Sequence, residues 1–326
     1  MKRSCIAAFA TLGFMAAPLL ADRPEFNDKE VPQTLDDLRE IQSALQKNLE
    51  RTRAATVCLQ IGGSSGSAVI ISEDGLVLTA AHVTGKVGAE IDVVMEDGRK
   101  LKGKALGLNS ETDSAMLQIL DEGPFPFVEV DLKDSTKLGD WVFSLGHSGG
   151  FDKERGINVR VGRLVREADT TIQSDCMLIG GDSGGPLFNM AGELIGIHSR
   201  VGASREESMH VPLREFQAHW DELKKGDFIG SGGFAKKVEP GSGFLGLITE
   251  PSDEGGLKVT ELWPEGPAEK AGMKVGDRVL EVDGEAATEE TLEATLGKIG
   301  VGDSLKLKWV SEDKTLEETI KLEKRP

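Results

Sequence analysis

The sequence has no tyrosine and only 12 prolines among its 326 residues, whereas glycine occurs 40 times. Glycine destabilises helix interiors and is favoured in turns, so this composition argues against a helical bundle and favours a chain that is mainly β structure. Hydrophobic residues make up 39% of the chain and charged residues 29%, which excludes the weakly hydrophobic composition of a disordered protein. The length is that of about two globular domains.

Positive charge is scarce. The 38 lysines and arginines are outnumbered by 55 acidic residues, and the formal net charge is −17. Such a chain repels the phosphates of nucleic acids and the head groups of anionic lipids. We therefore expect no nucleic-acid partner.

Long apolar runs are absent except at the N-terminus. There, two basic residues precede an apolar run from Cys5 to Ala21 that Pro18 interrupts. This pattern predicts a signal peptide over residues 1–21 and hence a periplasmic or secreted chain after cleavage. A retained membrane anchor is the alternative, but the run is short and broken for a span.

Cysteine is rare as well. Without the signal peptide only Cys58 and Cys176 remain, each within an apolar, strand-like run. An exported chain could join them in one disulfide, and two buried free thiols are the other interpretation. No His-Glu-x-x-His or Cys-x-x-Cys spacing indicates a metal site, and no cofactor is implied.

The rest of the chain is predicted to form four segments. Apolar residues recur at helical spacing over 34–51 behind Thr34, a residue suited to capping a helix. Short apolar runs separated by turns then predict a barrel or sandwich, closed by a helix over 213–225. The segments are an N-terminal extension with an amphipathic helix (22–54), a first domain (55–225), a glycine-rich linker (226–243) and a second domain (244–326).

Candidate catalytic residues occur in the first domain in the order His82, Asp113 and Ser183. Ser183 lies in the glycine-flanked turn Gly-Asp-Ser-Gly-Gly-Pro, where small neighbours let backbone N–H groups face a substrate carbonyl. Serine becomes a nucleophile when a base removes its proton, and a carboxylate orients and stabilises the imidazole that does so. Each of these residues has an ordinary structural interpretation by itself, but the three together predict nucleophilic catalysis.

With their flanking residues, these motifs resemble the trypsin-like serine peptidases, and among them the HtrA/Deg family. The resemblance covers about residues 55–326 and implies two six-stranded β-barrels with the catalytic residues in the cleft between them. It implies that Ser183 is the nucleophile, His82 the general base and acid, and Asp113 its orienting carboxylate. It also implies that the N–H groups of Gly181 and Ser183 form the oxyanion hole.

The first domain departs from the HtrA pattern near the nucleophile. Asp182 stands where these proteins usually have asparagine, Gly180 stands where they often have proline, and Gly146–Gly150 replaces a common Gly-Asn-Pro turn. His147 in that turn has two interpretations, a cleft-lining residue or a solvated loop residue. The solvated loop residue is the usual interpretation for such a histidine, and it also suits His210 and His219.

The primary specificity pocket is expected to involve Met177 and His198. In trypsin-like enzymes the base of this pocket lies six residues before the nucleophile, which is Met177 here. No acidic residue occurs over 176–179, so the resemblance implies cleavage after small or medium aliphatic residues instead of lysine or arginine. His198 is the second pocket candidate, with an ordinary structural role as the alternative.

The second domain resembles a PDZ domain, a small α+β fold. Phe244, Leu245, Gly246 and Leu247 match the loop that binds a carboxylate in these domains, and a strand follows. An added β-strand ending in a C-terminal carboxylate is the ligand that this match implies. A helix over 289–299 would form the far wall of the groove. An unrelated small α+β domain is the alternative.

The resemblance implies an ATP-independent serine endopeptidase that acts on unfolded or misfolded polypeptides and binds C-terminal peptides. A narrow processing peptidase would share this chemistry, and a PDZ-containing pseudoprotease acting as an interaction module or holdase is the alternative from another class. Family members are often trimers built through their N-terminal segments, so a homotrimer is one expectation. The other expectation is that the helix over 34–51 packs on its own barrel.

Overall fold

The computed structural model describes residues 23–131, 134–202, 207–238, 241–312 and 314–325. The predicted signal peptide falls on residues that lie outside these ranges. Internal contacts divide the chain into two units, with the division between Ala235 and Lys236. Among the described residues, no helix combines the length and the apolar character that a membrane span needs.

The first unit begins with a 3-10 turn, Glu25–Asp28, and the long helix α1, Leu35–Ala55. The Thr34 side chain caps the helix by accepting a hydrogen bond from the Asp37 amide, and Asp37 caps the Thr34 amide in return. The helix predicted over 34–51 is thus present and extends to the first strand.

Helix α1 packs on its own unit. Ile41 and Ala55 are buried in the main hydrophobic core, and the Asn48 side chain donates to the carbonyl of Met190 at 3.1 Å. Leu35 is 71% exposed and Leu38 51% exposed, because both precede the part of the helix that reaches the barrel. The homotrimer stays a prediction.

Six antiparallel strands form the first barrel, in the order β5-β4-β1-β2-β3-β6 with β5 paired to β6. The short helix α2, Ala81–Thr84, directly follows β3 in the chain. The strands are β1 (Thr56–Ile61), β2 (Ser64–Ile70), β3 (Leu76–Ala80), β4 (Glu90–Val94), β5 (Lys100–Asn109) and β6 (Ser114–Ile119).

The second barrel closes in the order β10-β11-β12-β9-β8-β7. Its interior contributes Phe143 and Phe188, whose rings stack with centroids 5.1 Å apart. The strands are β7 (Trp141–Gly146), β8 (Asn158–Ala168), β9 (Thr171–Ser174), β10 (Pro186–Asn189), β11 (Leu194–Val201) and β12 (Ser208–Pro212).

The predicted closing helix is two helices, α3 (Leu213–Ala218) and α4 (Trp220–Lys225). They separate at His219, whose φ of −128° is not helical. The strand β13, Phe228–Ile229, then pairs in parallel with the end of β5. The first part of the predicted linker 226–243 is therefore built into the sheet of the first barrel.

The second unit is a small α+β fold around the fully buried Trp309. Its main sheet has the order β15-β16-β17-β19-β20, so β15 is an edge strand. The elements are β14 (Gly243–Phe244), β15 (Leu247–Pro251), β16 (Leu257–Leu262), α5 (Pro267–Lys270), β17 (Arg278–Val282), β18 (Glu285–Ala286), α6 (Glu289–Leu296), β19 (Ser304–Ser311), β20 (Lys314–Lys321) and β21 (Glu323–Lys324). The expected fold class, a double barrel followed by an α+β unit, is confirmed.

Candidate active site

His82 and Asp113 come together because their strands are paired. His82 lies in α2 directly after β3, Asp113 directly precedes β6, and the register sets Ala80 opposite Ser114. The imidazole Nδ1 of His82 lies 3.0 Å and 2.9 Å from the two carboxylate oxygens of Asp113. Asp113 is fully buried, and its Oδ1 also accepts a hydrogen bond from the His82 amide at 3.0 Å.

Ser199 on β11 is a further partner of this pair. Its hydroxyl donates to Asp113 Oδ2 at 2.5 Å, so the buried carboxylate accepts from a ring nitrogen, an amide and a hydroxyl. An ionised carboxylate only accepts hydrogen bonds, and Nδ1 must therefore carry the proton of a neutral His82. This tautomer leaves Nε2 with the lone pair that a general base requires. No sequence motif indicated Ser199, because the contact depends on how β11 meets the first barrel.

Ser183 lies in the tight turn before β10, at the junction of the two barrels. Its carbonyl accepts from the Ser67 amide of β2 at 2.7 Å, and its hydroxyl donates to the carbonyl of Ser199 at 3.5 Å. Among the described residues no hydrogen bond joins the Ser183 hydroxyl to His82. Catalytic hydrogen bonds are often long in the free enzyme and shorten when the substrate is bound. The structure thus brings all three candidates to one junction, with the hydroxyl turned to Ser199.

The turn before Ser183 requires glycine. Gly181 has a φ of 96°, and a Cβ there would lie 2.5 Å from backbone atoms of His147 and Gly149. In the described part of the chain, neither the Gly181 amide nor the Ser183 amide donates to a backbone carbonyl. Both N–H groups are consequently free to bind a negatively charged oxygen.

The surroundings of Asp182 account for one departure from the HtrA pattern, the aspartate in place of asparagine. Its carboxylate is fully buried and lies 3.0 Å from the guanidinium of Arg160 on β8. It also accepts from the Ser148 hydroxyl at 2.6 Å and from the Ile179 amide at 2.9 Å. A buried carboxylate needs such compensation, so the aspartate at this position depends on Arg160. The ion pair anchors the backbone between the two candidate oxyanion donors, Gly181 and Ser183.

A chain of buried histidines supports the same turn from behind. His198 Nε2 donates to the carbonyl of Leu145 at 3.2 Å, so its Nδ1 must accept the proton of His210 Nδ1, 2.9 Å away. His210 Nε2 then accepts from the Ser174 hydroxyl at 2.8 Å. This network is complete only when both rings are neutral. The His198 backbone bonds the Gly184 amide and the Gly185 carbonyl, each at 2.7 Å.

Three histidines that the sequence favoured as solvated or ordinary loop residues are buried. His147 is 2% exposed, and neither His198 nor His210 has any exposed surface. The solvated interpretation of His147 and His210 was wrong, because His210 lies in β12 between two paired strands and the turn with His147 packs on Ser67 of the first barrel. His198 forms part of the support of the turn and presents no surface to a substrate. Of the two candidate pocket residues only Met177 is accessible, with 46% exposure.

The buried histidines are expected to make the protein acid-sensitive. Burial lowers the pKa of His147 to about 4 and of His210 to about 3, and it lowers the pKa of His198 well below its ordinary value. Below about pH 6.5 the unfolded chain binds protons that the native chain does not, so stability falls from there towards pH 4. Urea unfolding should show a loss of several kcal/mol between pH 7.5 and pH 4.5.

The variant that tests this acid effect is His147→Gln, which removes one of the buried imidazoles. His147→Gln should reduce the slope of stability against pH. Equal unfolding free energies of the unmodified protein at the two pH values would contradict the prediction.

Cys58 and Cys176 are free thiols, which decides between the two interpretations of the sequence. Burial raises the pKa of each thiol to about 11, so neither is a reactive thiolate at neutral pH. Within the described ranges no group of three or more histidine, cysteine, aspartate or glutamate side chains could hold a metal ion.

The second unit contains the predicted carboxylate loop between β14 and β15. Gly246 has a φ of 78°, and its carbonyl accepts from the Trp263 amide at 2.9 Å. Leu245 is buried in the core of this unit, and the ring of Phe244 packs edge-on against Trp263. In the described part of this unit, the amides of Leu245 and Gly246 donate to no backbone carbonyl.

The strand that follows the loop is open on one side. Leu247 begins β15, whose one strand partner in the described part of this unit is β16, and Ile248 is 50% exposed. Helix α6 packs beside β15 through the core residue Leu292. An edge strand with a free amide loop at its start is the arrangement that strand addition requires.

The comparisons with known proteins agree with both units. Residues 66–197 match the trypsin-like peptidase domain and residues 258–309 match the PDZ domain. The chain is 34% identical to a probable periplasmic serine endoprotease DegP-like of Halomonas elongata, over 75% of this chain and 53% of the relative. It is 32% identical to the protein of the same name from a Marinomonas strain, over 81% of this chain and 58% of the relative.

Among solved structures, a serine endoprotease from Yersinia pestis has the same fold. The two share 23% identity with a TM-score of 0.50, covering 91% of this chain and all of the other. The chain spans about half the length of the curated relatives it matches. The predicted combination of a trypsin-like peptidase domain with a PDZ domain is confirmed.

Proposed function

We propose that this chain, with its trypsin-like peptidase domain and PDZ domain, is a serine endopeptidase of the HtrA type that acts in the periplasm or outside the cell. The observation that carries the proposal is the buried Asp113 carboxylate, which holds Nδ1 of His82 while Ser199 links that carboxylate to Ser183. A binding-only pseudoprotease has no physical need for this arrangement. The periplasmic names of the relatives support the location.

The mechanism that this geometry supports is acyl transfer. The Ser183 hydroxyl turns from Ser199 towards His82, and Oγ attacks the peptide carbonyl while Nε2 takes the proton. The amides of Gly181 and Ser183 stabilise the oxyanion, and collapse of the intermediate breaks the C–N bond as His82 protonates the leaving amine. Water, deprotonated by His82, then hydrolyses the acyl-enzyme and restores Ser183.

The proposed substrates are unfolded or misfolded polypeptides, because a chain must be extended to reach Ser183 between two closed barrels. The direct test is digestion of casein by the purified protein, together with fluorophosphonate labelling and mass spectrometry of the labelled peptide. We expect the label on Ser183 and casein hydrolysis without ATP. A protein that neither accepts the label nor cleaves casein would favour the pseudoprotease.

Cleavage is expected after valine, alanine or leucine. Among residues 176–179, which precede the turn, Met177 and Ile179 are exposed, and neither can pair with a charged substrate side chain. The nearby Asp175 is engaged, because its carboxylate accepts from the Arg163 amide at 2.6 Å. Burying an unpaired cation costs several kcal/mol, so aliphatic residues should be preferred by at least about tenfold. A peptide-library profile dominated by lysine or arginine would refute this.

The PDZ domain is proposed to bind C-terminal tails as an additional strand on β15. The free amides of Leu245 and Gly246 would hold the carboxylate, and tails ending in an aliphatic residue or phenylalanine should bind weakly. The titration uses the full chain carrying Ser183→Ala, so that the peptide is not cleaved. We expect amidation of the peptide C-terminus to weaken binding about tenfold or more, since a charge-assisted hydrogen bond is lost. Equal affinities of acid and amide would show that the loop does not hold a carboxylate.

A further inference from the structure

The segment after β13 returns to the active site instead of leaving the barrel. It crosses Ser110 in the turn between β5 and β6, where the Ser110 amide donates to the Ile229 carbonyl at 2.9 Å. The Gly232 amide donates to the Ser110 hydroxyl at 3.1 Å, and the Phe234 amide donates to the Ser110 carbonyl at 2.6 Å. Ser110 is fully buried and precedes Asp113 by three residues.

This path is tight enough to fix the position of Phe234. A Cβ at Gly230 would lie 2.6 Å from the Ser110 hydroxyl, and one at Gly233 would lie 2.6 Å from the Ser110 carbonyl. Ala235 is buried in a cluster that includes Ala81, the residue before His82. The backbone is therefore anchored on both sides of Phe234.

The ring of Phe234 lies between His82 and Arg200. Its centroid is 6.5 Å from that of the imidazole, and the Arg200 guanidinium carbon lies 5.1 Å from the ring centre. Both distances are within the range of attractive contacts for aromatic rings and for a cation over a ring. The ring thus contacts both the imidazole of the proposed general base and the Arg200 guanidinium.

Arg200 is exposed and follows Ser199, whose carbonyl accepts the Ser183 hydroxyl. Within the described ranges its guanidinium donates to the hydroxyl of the preceding residue, Ser199, at 3.4 Å, and no described carboxylate pairs with it. A cation with no counter-charge among the described residues is unusual in a chain of net charge −17. The guanidinium therefore has donors directed to solvent at the point where a substrate must pass.

We propose that Arg200, held by Phe234, forms a substrate subsite beside His82 that favours an acidic side chain close to the cleaved bond. The inference rests on the proposed peptidase function and specifies its substrates further. Attraction between the guanidinium and a substrate carboxylate supplies the preference. Phe234 is a positioning residue that acts through Arg200, and it comes from the segment between the barrel and the PDZ domain.

The test uses the full chain and fluorogenic peptides built on a bond that the protein cleaves in casein. Glutamate or its neutral isostere glutamine is placed in turn at each position flanking the bond. At one position we expect glutamate to raise kcat/KM about two- to fivefold over glutamine, the size expected for an exposed ion pair. The preference should fall as salt is added, since the pair is open to solvent.

Two variants and one control locate the preference. Arg200→Gln should abolish it and Phe234→Leu should reduce it, each measured as the ratio of kcat/KM for the glutamate peptide to kcat/KM for the glutamine peptide. Phe228→Leu is the matched control, because Phe228 lies in β13 and packs against the same cluster of Ala81 and Leu108 as Phe234, whereas Arg200 lies over the ring of Phe234. An unchanged glutamate preference in Arg200→Gln, or the same response in Phe234→Leu and Phe228→Leu, would overturn the subsite. If no peptide is cleaved, the peptidase proposal itself fails.

Discussion

Replacement of Ser183 by alanine is expected to lower kcat for peptide hydrolysis by on the order of 10⁶, the effect known for the nucleophile of subtilisin. Ser183 is the proposed nucleophile, and alanine has no atom that can form the acyl-enzyme. The hydroxyl makes one long hydrogen bond, 3.5 Å to the Ser199 carbonyl, so its removal should hardly change stability. The measurement is kcat on a casein-derived peptide, with the thermal midpoint recorded in parallel.

The matched control for Ser183→Ala is Ser72→Ala, which removes a half-buried hydroxyl at the hairpin between β2 and β3 that bonds the Asp74 carboxylate and the Leu76 amide. The control should keep full activity and full fluorophosphonate labelling. Loss of labelling in Ser183→Ala with retained folding would support the assignment. Unchanged proteolysis by Ser183→Ala would show that another residue is the nucleophile.

Replacement of Arg160 by methionine is expected to reduce activity on the order of 10²-fold, about as much as the loss of one oxyanion donor. Asp182 would then be buried without its cation, and the backbone between Gly181 and Ser183 would rearrange to relieve the charge. Removing one member of a buried ion pair also costs about 3 to 5 kcal/mol of stability. The measurement is kcat and KM on one peptide, with urea unfolding in parallel.

A charge-compensated double variant separates positioning from folding. Arg160→Met with Asp182→Asn leaves no unpaired charge, and the asparagine oxygen can accept from the Ile179 amide while its NH2 group donates to the Ser148 hydroxyl. The double variant should recover most of the stability and of the fluorophosphonate labelling rate, in contrast to Arg160→Met alone. If the single variant labels Ser183 at the unmodified rate, the ion pair does not position the oxyanion donors.

The chain of buried histidines and the ion pair support the same turn from different sides. His198 bonds the backbone at Gly184 and Gly185, whereas Arg160 holds Asp182. The turn that carries Ser183 is therefore stabilised on one side by neutral histidines and on the other side by an ion pair. Acid would disturb the neutral network, because the buried histidines would gain protons.

Local sequence determined the fold class and the candidate triad. Short apolar runs separated by turns predicted a barrel or sandwich, because strands such as β3 are buried along their whole length and need apolar residues at consecutive positions. The motifs around His82, Asp113 and Ser183 were equally local, since each needs particular neighbours in its own turn or strand end. The loop at Gly246 was recognisable because its left-handed backbone favours glycine.

Tertiary structure alone decided the partners of these residues. Ser199, Arg160 and Phe234 reach the site from β11, β8 and the segment after β13, which closure of the barrels brings together from distant positions. The burial of His147 and His210 was decided in the same way, because a polar residue in a turn carries no local sign of which barrel wall will cover it. Residue types and spacing therefore determined what chemistry the chain contains, while strand pairing between distant segments decided which groups hold it in place.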